Sequence, residues 1–116
     1  MELVAFLGND KDNWGQLSGL VNKAGWDKII FVKNKEAENF PAENIETINV
    51  DGSKPLLDLK KDIVDKLKGR ISEFEVALSI ASGTGKEHMA LISALLSVPV
   101  GIRLVVYTKN GVEFIN

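Results

Sequence analysis

Residues 76–89 place a strand, a glycine-containing turn and a helix in immediate succession. Val76–Ile80 is an apolar run of strand length, Ser82–Gly85 is a cluster of small residues, and an apolar helical pattern begins at Lys86. Because the turn leads directly into a helix, several backbone N–H groups point into one loop. Gly83 and Gly85 let the main chain approach a ligand closely or adopt a positive φ. The stretch therefore predicts an anion-binding turn in which Lys86 adds a mobile cation.

The same turn also fits a purely structural role. Thr84 followed three residues later by Glu87 forms a capping box in front of the apolar run, and glycine is common in strand-to-helix turns. A Walker A phosphate loop is excluded, because Ile80 and Glu87 stand where that motif needs Gly and Ser or Thr. The turn alone leaves two interpretations open, an anion site and a capped turn.

Composition indicates one globular domain. The 116 residues are 45% hydrophobic and 26% charged and include no cysteine, which excludes disulfides and thiolate metal sites. Fourteen basic and sixteen acidic residues give a net charge of −2, which argues against duplex nucleic acid as a partner. The Met1–Val4 start lacks a positive leader segment, and no apolar run reaches the length of a membrane span, so we expect a cytoplasmic protein without a membrane partner.

Hydrophobic periodicity and turn signals predict elements in the order β-α-β-β-α-β-α-β-β. The predicted strands are Leu3–Leu7, Lys28–Lys33, Ile45–Val50, Glu75–Ile80, Ile102–Tyr107 and Val112–Ile115. The helices are expected to begin with Asn13 as N-cap, with Pro55 at the first position, and at Lys86. Asp62 and Lys66 are expected to pair across one turn of the second helix. The sequence Thr108–Gly111 predicts a tight hairpin before the last strand.

Helical connections impose right-handed parallel crossovers and so restrict the sheet topology. We expect the α/β class, as a Rossmann-like three-layer open sheet with strand order 3-2-1-4-5-6, mostly parallel with an antiparallel C-terminal edge hairpin. Ligands of such sheets bind where the strand order reverses, here between the first and fourth strands. The polar turns Gly8–Asn13 and Ala81–Lys86 should therefore lie side by side in one crevice.

Several common chemistries lack their residues. Gly8 stands alone after the first strand and the second strand ends in Lys33 and Asn34, so NAD or FAD is not expected and no cofactor is predicted. His88 is the only histidine and no nucleophile elbow is present, which excludes a histidine metal cluster and argues against a serine–histidine triad. Paired acids after a strand more often cap the next helix than bind Mg²⁺, and we expect no metal.

The third predicted helix carries almost no polar face. Residues 89–96 are Met-Ala-Leu-Ile-Ser-Ala-Leu-Leu, whereas a helix that packs on a sheet needs only an apolar stripe. A second copy of the chain would cover the other side. We therefore expect a homodimer whose two-fold axis brings two copies of the Ser82–Lys86 loop together.

These features together resemble one known family. The order of elements, the final hairpin, Gly8-Asn9-Asp10, and Ser79–Thr84 leading into Lys86 and Met89-Ala90-Leu91 are similar to a CARF domain, the CRISPR-associated Rossmann-fold ligand sensor. The resemblance covers residues 1–116 as a single domain. It implies a homodimer whose paired crevices bind a cyclic oligoadenylate in antiviral defence. The expected ligand-binding residues are Gly8, Asn9, Asp10, Lys11, Ser82, Gly83, Thr84, Gly85 and Lys86.

Two departures from the family pattern affect the expected function. Gly85 separates Thr84 from the basic residue that often follows sooner, and no effector domain follows residue 116. We therefore expect a stand-alone sensor of a cyclic oligoadenylate or related nucleotide, acting through a separate effector protein. Two alternatives remain, a metal-independent ring nuclease in which Lys86 stabilises developing charge, and a structural dimer whose loop is only a turn.

Overall fold

The computed structural model describes residues 1–116 and contains six strands and three α-helices in the predicted order. The elements are β1 (Glu2–Leu7), α1 (Trp14–Lys23), β2 (Lys28–Asn34), β3 (Ile45–Val50), α2 (Leu56–Leu67), β4 (Glu75–Ser79), α3 (Gly85–Ser97), β5 (Gly101–Thr108) and β6 (Gly111–Phe114). A short 3₁₀ turn, Lys11–Asn13, precedes α1.

The strands form one sheet with the order β3-β2-β1-β4-β5-β6, which confirms the predicted α/β topology. β1 pairs in parallel with β2 on one side and with β4 on the other. Only β5 and β6 are antiparallel, and Gly111, which begins β6 directly after the tight turn, has a φ of 104°. The carboxyl ends of β1 and β4 therefore meet at the position where the strand order reverses.

Two helical layers cover the sheet. On one face α1 packs its buried residues Leu17 and Leu20 against β1, β2 and β4. On the other face α2 and α3 bury an apolar stripe against the larger core cluster around Val4 and Phe6. β1 is buried along its whole length because both layers meet on it, which agrees with the unbroken apolar run Leu3–Leu7.

The apolar surface of α3 divides into two faces. Ala90, Leu91, Ala94 and Leu95 are fully buried against the sheet and α2. Met89 and Leu96 point away from the core, with 60% and 61% of their surface exposed. No element of the chain covers this outer face.

Asn13 is the N-cap of α1 as predicted, although its side chain makes no capping hydrogen bond and its Nδ2 donates to Asp10 at 2.8 Å. Two other local predictions need correction. Pro55 is the N-cap of α2 rather than its first residue. Asp62 pairs with Lys54 at 2.6 Å and not with Lys66. Lys54 lies in the turn before α2, and its ammonium extends along the helix to the Asp62 carboxylate.

Candidate functional site

The loops that follow β1 and β4 are in direct contact. The Gly8 N–H donates to Ser82 Oγ at 2.8 Å. A Cβ atom on Gly8 would lie only 2.7 Å from the Cα of Gly83, so the two backbones approach more closely than side chains would allow. The switch point of the sheet thus carries the crevice that the topology predicts.

Asp10 occupies the centre of this contact. Its carboxylate accepts hydrogen bonds from Ser82 Oγ at 2.6 Å, from the Gly83 N–H at 3.1 Å and from Asn13 Nδ2 at 2.8 Å. Burial opposes ionisation of this carboxyl group, but the hydrogen bonds outweigh it and hold the pKa of Asp10 below its ordinary value. An internal carboxylate therefore already uses the N–H group of Gly83, which the sequence assigned to a phosphate.

The start of α3 is fixed by two further contacts. The Glu87 N–H donates to Thr84 Oγ1 at 3.2 Å while the Thr84 N–H donates to Glu87 Oε1 at 2.8 Å, which confirms the predicted capping box. His88 Nε2 lies 2.6 Å from the carbonyl oxygen of Ser82 and donates to it as the Nε2–H tautomer. The start of α3 is therefore held by hydrogen bonds within the protein itself.

Two donors at the start of α3 have no acceptor in the protein. Gly85 and Lys86 are the first two residues of the helix, and their N–H groups make no hydrogen bond to any other residue. Both residues are exposed, and a Cβ on Gly85 would meet nothing within 4 Å. Within the predicted turn, the backbone donors without a protein acceptor are therefore those of Gly85 and Lys86, at the positive end of the helix.

The structure brings four of the nine predicted residues together around one pocket. Asn9, Asp10, Gly83 and Thr84 line a depression of about 250 Å³ together with Glu87. Gly8 and Ser82 are buried at the contact between the two loops. The remaining three predicted residues, Lys11, Gly85 and Lys86, do not line this pocket.

The ammonium groups of the two predicted cations, Lys11 and Lys86, contact neighbouring segments of the chain. Lys11 pairs with Glu38 in the connection between β2 and β3, and its ammonium lies 5.7 Å from the ring centre of Trp14. Lys86 Nζ donates to the carbonyl oxygen of Gly52 at 3.0 Å, in the turn that follows β3. Both lysines are exposed, and neither lines the pocket formed by Asn9, Asp10, Gly83, Thr84 and Glu87.

Three residues of the crevice edge were missed as site residues by sequence reasoning. Asn34 ends β2, Gly52 follows β3, and Glu87 was considered only as a helix cap. A Cβ on Gly52 would lie 3.6 Å from both Asn34 Nδ2 and Glu87 Oε2, so these groups converge. For Asn34 the sequence did contain a signal, its position at the end of the second strand, because polar groups there contact the ribose of the ligand in sheets of this type.

The largest depression of the molecule lies away from this crevice. It measures about 620 Å³ and lies at the amino ends of the strands, between the end of α1 and the segment before β3. Trp26 lines it and donates its Nε1–H to the Leu20 carbonyl at 2.8 Å, so this indole closes the helix end. We place the candidate site at the smaller crevice, because polar groups of three strand ends converge only there.

The structure offers neither a metal site nor a membrane-spanning helix. No cluster of three or more His, Asp or Glu side chains is arranged to hold a metal ion. None of the helices has both the length and the apolar character that crossing a bilayer requires.

Comparison of the chain with protein-family models, curated proteins and solved structures gives no match.

Proposed function

We propose that the chain is a ligand-sensing domain of the CARF type, which binds a cyclic oligoadenylate or related nucleotide across a homodimer in CRISPR-linked antiviral signalling. The observation that carries the proposal is the pair of unpartnered N–H groups of Gly85 and Lys86. They lie at the positive end of a helix, beside the crevice at the switch point of an open α/β sheet. Phosphate binds to helix starts of this kind.

The uncovered face of α3 supports the dimeric part of the proposal. Met89 and Leu96 lie in one groove with Gly85 and His88, so the apolar surface continues to the helix start. A two-fold axis beside α3 would bring two helix starts close together. A cyclic ligand with several phosphates could then contact both copies.

Isothermal titration with cyclic tetraadenylate and cyclic hexaadenylate tests the proposal. We expect the Gly85→Val variant to bind at least about tenfold more weakly, because the valine side chain would block access of a phosphate to the backbone donors. The fold itself should tolerate the valine, since a Cβ at this position meets nothing within 4 Å. Gly25→Val is the matched control, since a Cβ there also meets nothing and Gly25 lies at the opposite end of the sheet.

Lys86→Ala tests the cation separately. Loss of a charged hydrogen-bond partner costs about 1–3 kcal/mol, and Lys61→Ala removes an equally exposed lysine on α2 as a control. Failure of the parent protein to bind either ring would refute the proposed function. Linear products after incubation would instead identify the ring-nuclease alternative.

A further inference from the structure

The connection between β2 and β3 is the one crossover of parallel strands in this sheet that contains no helix. Residues 35–44, called the strap below, run from the carboxyl end of β2 to the amino end of β3. Only three backbone hydrogen bonds involve the strap, and their donors are the N–H groups of Lys35, Ala37 and Ala42. Segments with so few backbone hydrogen bonds open locally at low cost. The side-chain contacts of the strap therefore decide how firmly it is held.

Two buried contacts fasten the strap to the sheet. Lys33, which is only 4% exposed, donates from Nζ to the carbonyl oxygen of Ala37 at 2.7 Å. The ring centre of Phe40 lies 5.2 Å from that of Phe31 and 5.7 Å from that of Trp14. These contacts hold the strap on either side of residue 38.

Glu38 stands between the two anchors and forms an ion pair with Lys11. Lys11 follows Asp10 directly, so this pair joins the strap to the turn that lines the crevice. The side chains of Lys11 and Glu38 are 55% and 70% exposed. An exposed ion pair changes an equilibrium constant by about fivefold at most, so the Lys11 ammonium is held only weakly.

We propose that Glu38 is an internal competitor for Lys11, which keeps this ammonium paired to the strap while the crevice is empty. The phosphates of a bound nucleotide attract the same ammonium, and the flexible lysine side chain can turn from the carboxylate to the phosphate. The strap then loses its tie to the crevice turn. This regulation rests on the proposed function.

The course of the strap gives the exchange of partners a consequence beyond the crevice. Residues 40–44 form one wall of the depression of about 620 Å³ at the amino ends of the strands. The same segment thus contacts the ligand-binding end through Glu38 and shapes the opposite end of the molecule. Loss of the Glu38 contact loosens an element that spans both ends.

The Glu38→Gln variant tests the competition, with Glu36→Gln as the matched control. Both substitutions remove one negative charge from the strap, but Glu36 is exposed and forms no ion pair. We expect Glu38→Gln to bind cyclic tetraadenylate about two- to fivefold more tightly than the parent, because Lys11 no longer has a competing partner. Glu36→Gln should bind like the parent in the same isothermal titration.

Hydrogen exchange followed by NMR measures the strap itself. In the parent, saturating cyclic tetraadenylate should lower the protection factors of the Ala37 and Ala42 amides about two- to fivefold. Glu38→Gln should show this lower protection without ligand and little further change when ligand is added. The Arg70 amide, bonded to the Leu67 carbonyl in the turn after α2, should keep its protection throughout.

The outcomes separate the two proposals. If the parent binds but Glu38→Gln binds no more tightly than Glu36→Gln, or if ligand leaves the protection of Ala37 and Ala42 unchanged, the competition is wrong and the proposed function stands. An ion pair that only supports the fold would give this result, with a lower unfolding temperature for Glu38→Gln. If the parent binds neither cyclic tetraadenylate nor cyclic hexaadenylate, the proposed function is wrong and the competition falls with it.

Discussion

Asp10 holds the two loops of the crevice together as a carboxylate. Its pKa is below the ordinary value in the folded protein, so the charged form stabilises the fold at pH values above about 4, the pKa of an unfolded aspartate. That contribution is lost as the pH falls through the lower, folded pKa. The hydrogen-bond donors of Ser82 and Gly83 then face a neutral acid.

We predict that Asp10→Asn lowers the free energy of unfolding at pH 7 by about 2–3 kcal/mol, because charged hydrogen bonds are replaced by weaker or mismatched ones. The loss should become smaller as the pH falls below about 4 towards the lowered pKa of the folded carboxyl, because protonation of the unfolded aspartate removes the advantage of the charged form. Urea unfolding at pH 7 and pH 3 measures both values. Asp12→Asn, an exposed neighbour with no hydrogen bond in this network, is the control. Equal effects of the two substitutions at pH 7 would contradict the role of Asp10.

Gly83 and Gly85 differ in what a side chain would meet. Gly83 has a φ of 106°, and a Cβ there would lie 2.9 Å from Phe6 Cδ1 in the buried core. We predict that Gly83→Ala costs about 1–3 kcal/mol of stability, whereas Gly85→Ala is neutral or stabilises by up to about 1 kcal/mol. Thermal unfolding compares the pair directly. Similar unfolding temperatures would show that the Gly83 position is not strained.

The capping box is an element-scale feature that sequence alone identifies, because its partners are three residues apart. We predict that Thr84→Ala lowers the free energy of unfolding by about 1 kcal/mol, since the Glu87 N–H loses its acceptor. Thr84→Ser retains the hydroxyl and should restore most of that stability. Urea unfolding of the three proteins provides the measurement, and an equal loss in the serine variant would assign the effect to the lost methyl group.

The order of strands and helices was predictable from the sequence because the signals that define each element lie between residues that are close together in the chain. Periodicity and turn residues act within a few positions, as at the Thr108–Gly111 hairpin. The faces of α3 were not predictable, because a helix that is apolar all round gives no sign of which side is inward. The structure decides that Leu91 and Leu95 belong to the core and that Met89 and Leu96 do not.

At the scale of the whole molecule, topology brings distant residues together. The strand order, predictable from crossover handedness, was sufficient to place the turns after β1 and β4 side by side. It did not reveal that Asp10 would take the Gly83 N–H, since that contact joins residues 73 positions apart. It also did not reveal the convergence of Asn34 and Glu87, which depends on how α3 lies over the end of β2.

At the scale of the whole molecule, the exposed outer face of α3 is the surface on which we expect a second copy of the chain to pack. Met89 and Leu96 are more than half exposed, and no charged residue lies between Glu87 and Arg103 to make this surface polar. A second apolar feature is a trough of about 170 Å³ lined by residues of β4 and β5, by Ile80 and Ala81 after β4, and by Ile115. Exposed apolar surface of this kind favours association.

We predict that the parent protein sediments as a homodimer at micromolar concentration and that Leu96→Glu is a folded monomer. Burying a Leu side chain contributes about 1.5–3 kcal/mol, so losing two copies across a two-fold axis weakens dimerisation by about 3–6 kcal/mol, or more than a hundredfold. Leu57→Glu alters a leucine on α2 that is 76% exposed and lies outside this face, so this variant should remain dimeric. Leu91→Glu should instead unfold the protein, because Leu91 is fully buried.

Circular dichroism confirms that each variant is folded before its mass is interpreted. A monomeric parent, or a Leu96→Glu variant that sediments like the parent, would show that α3 does not form the dimer.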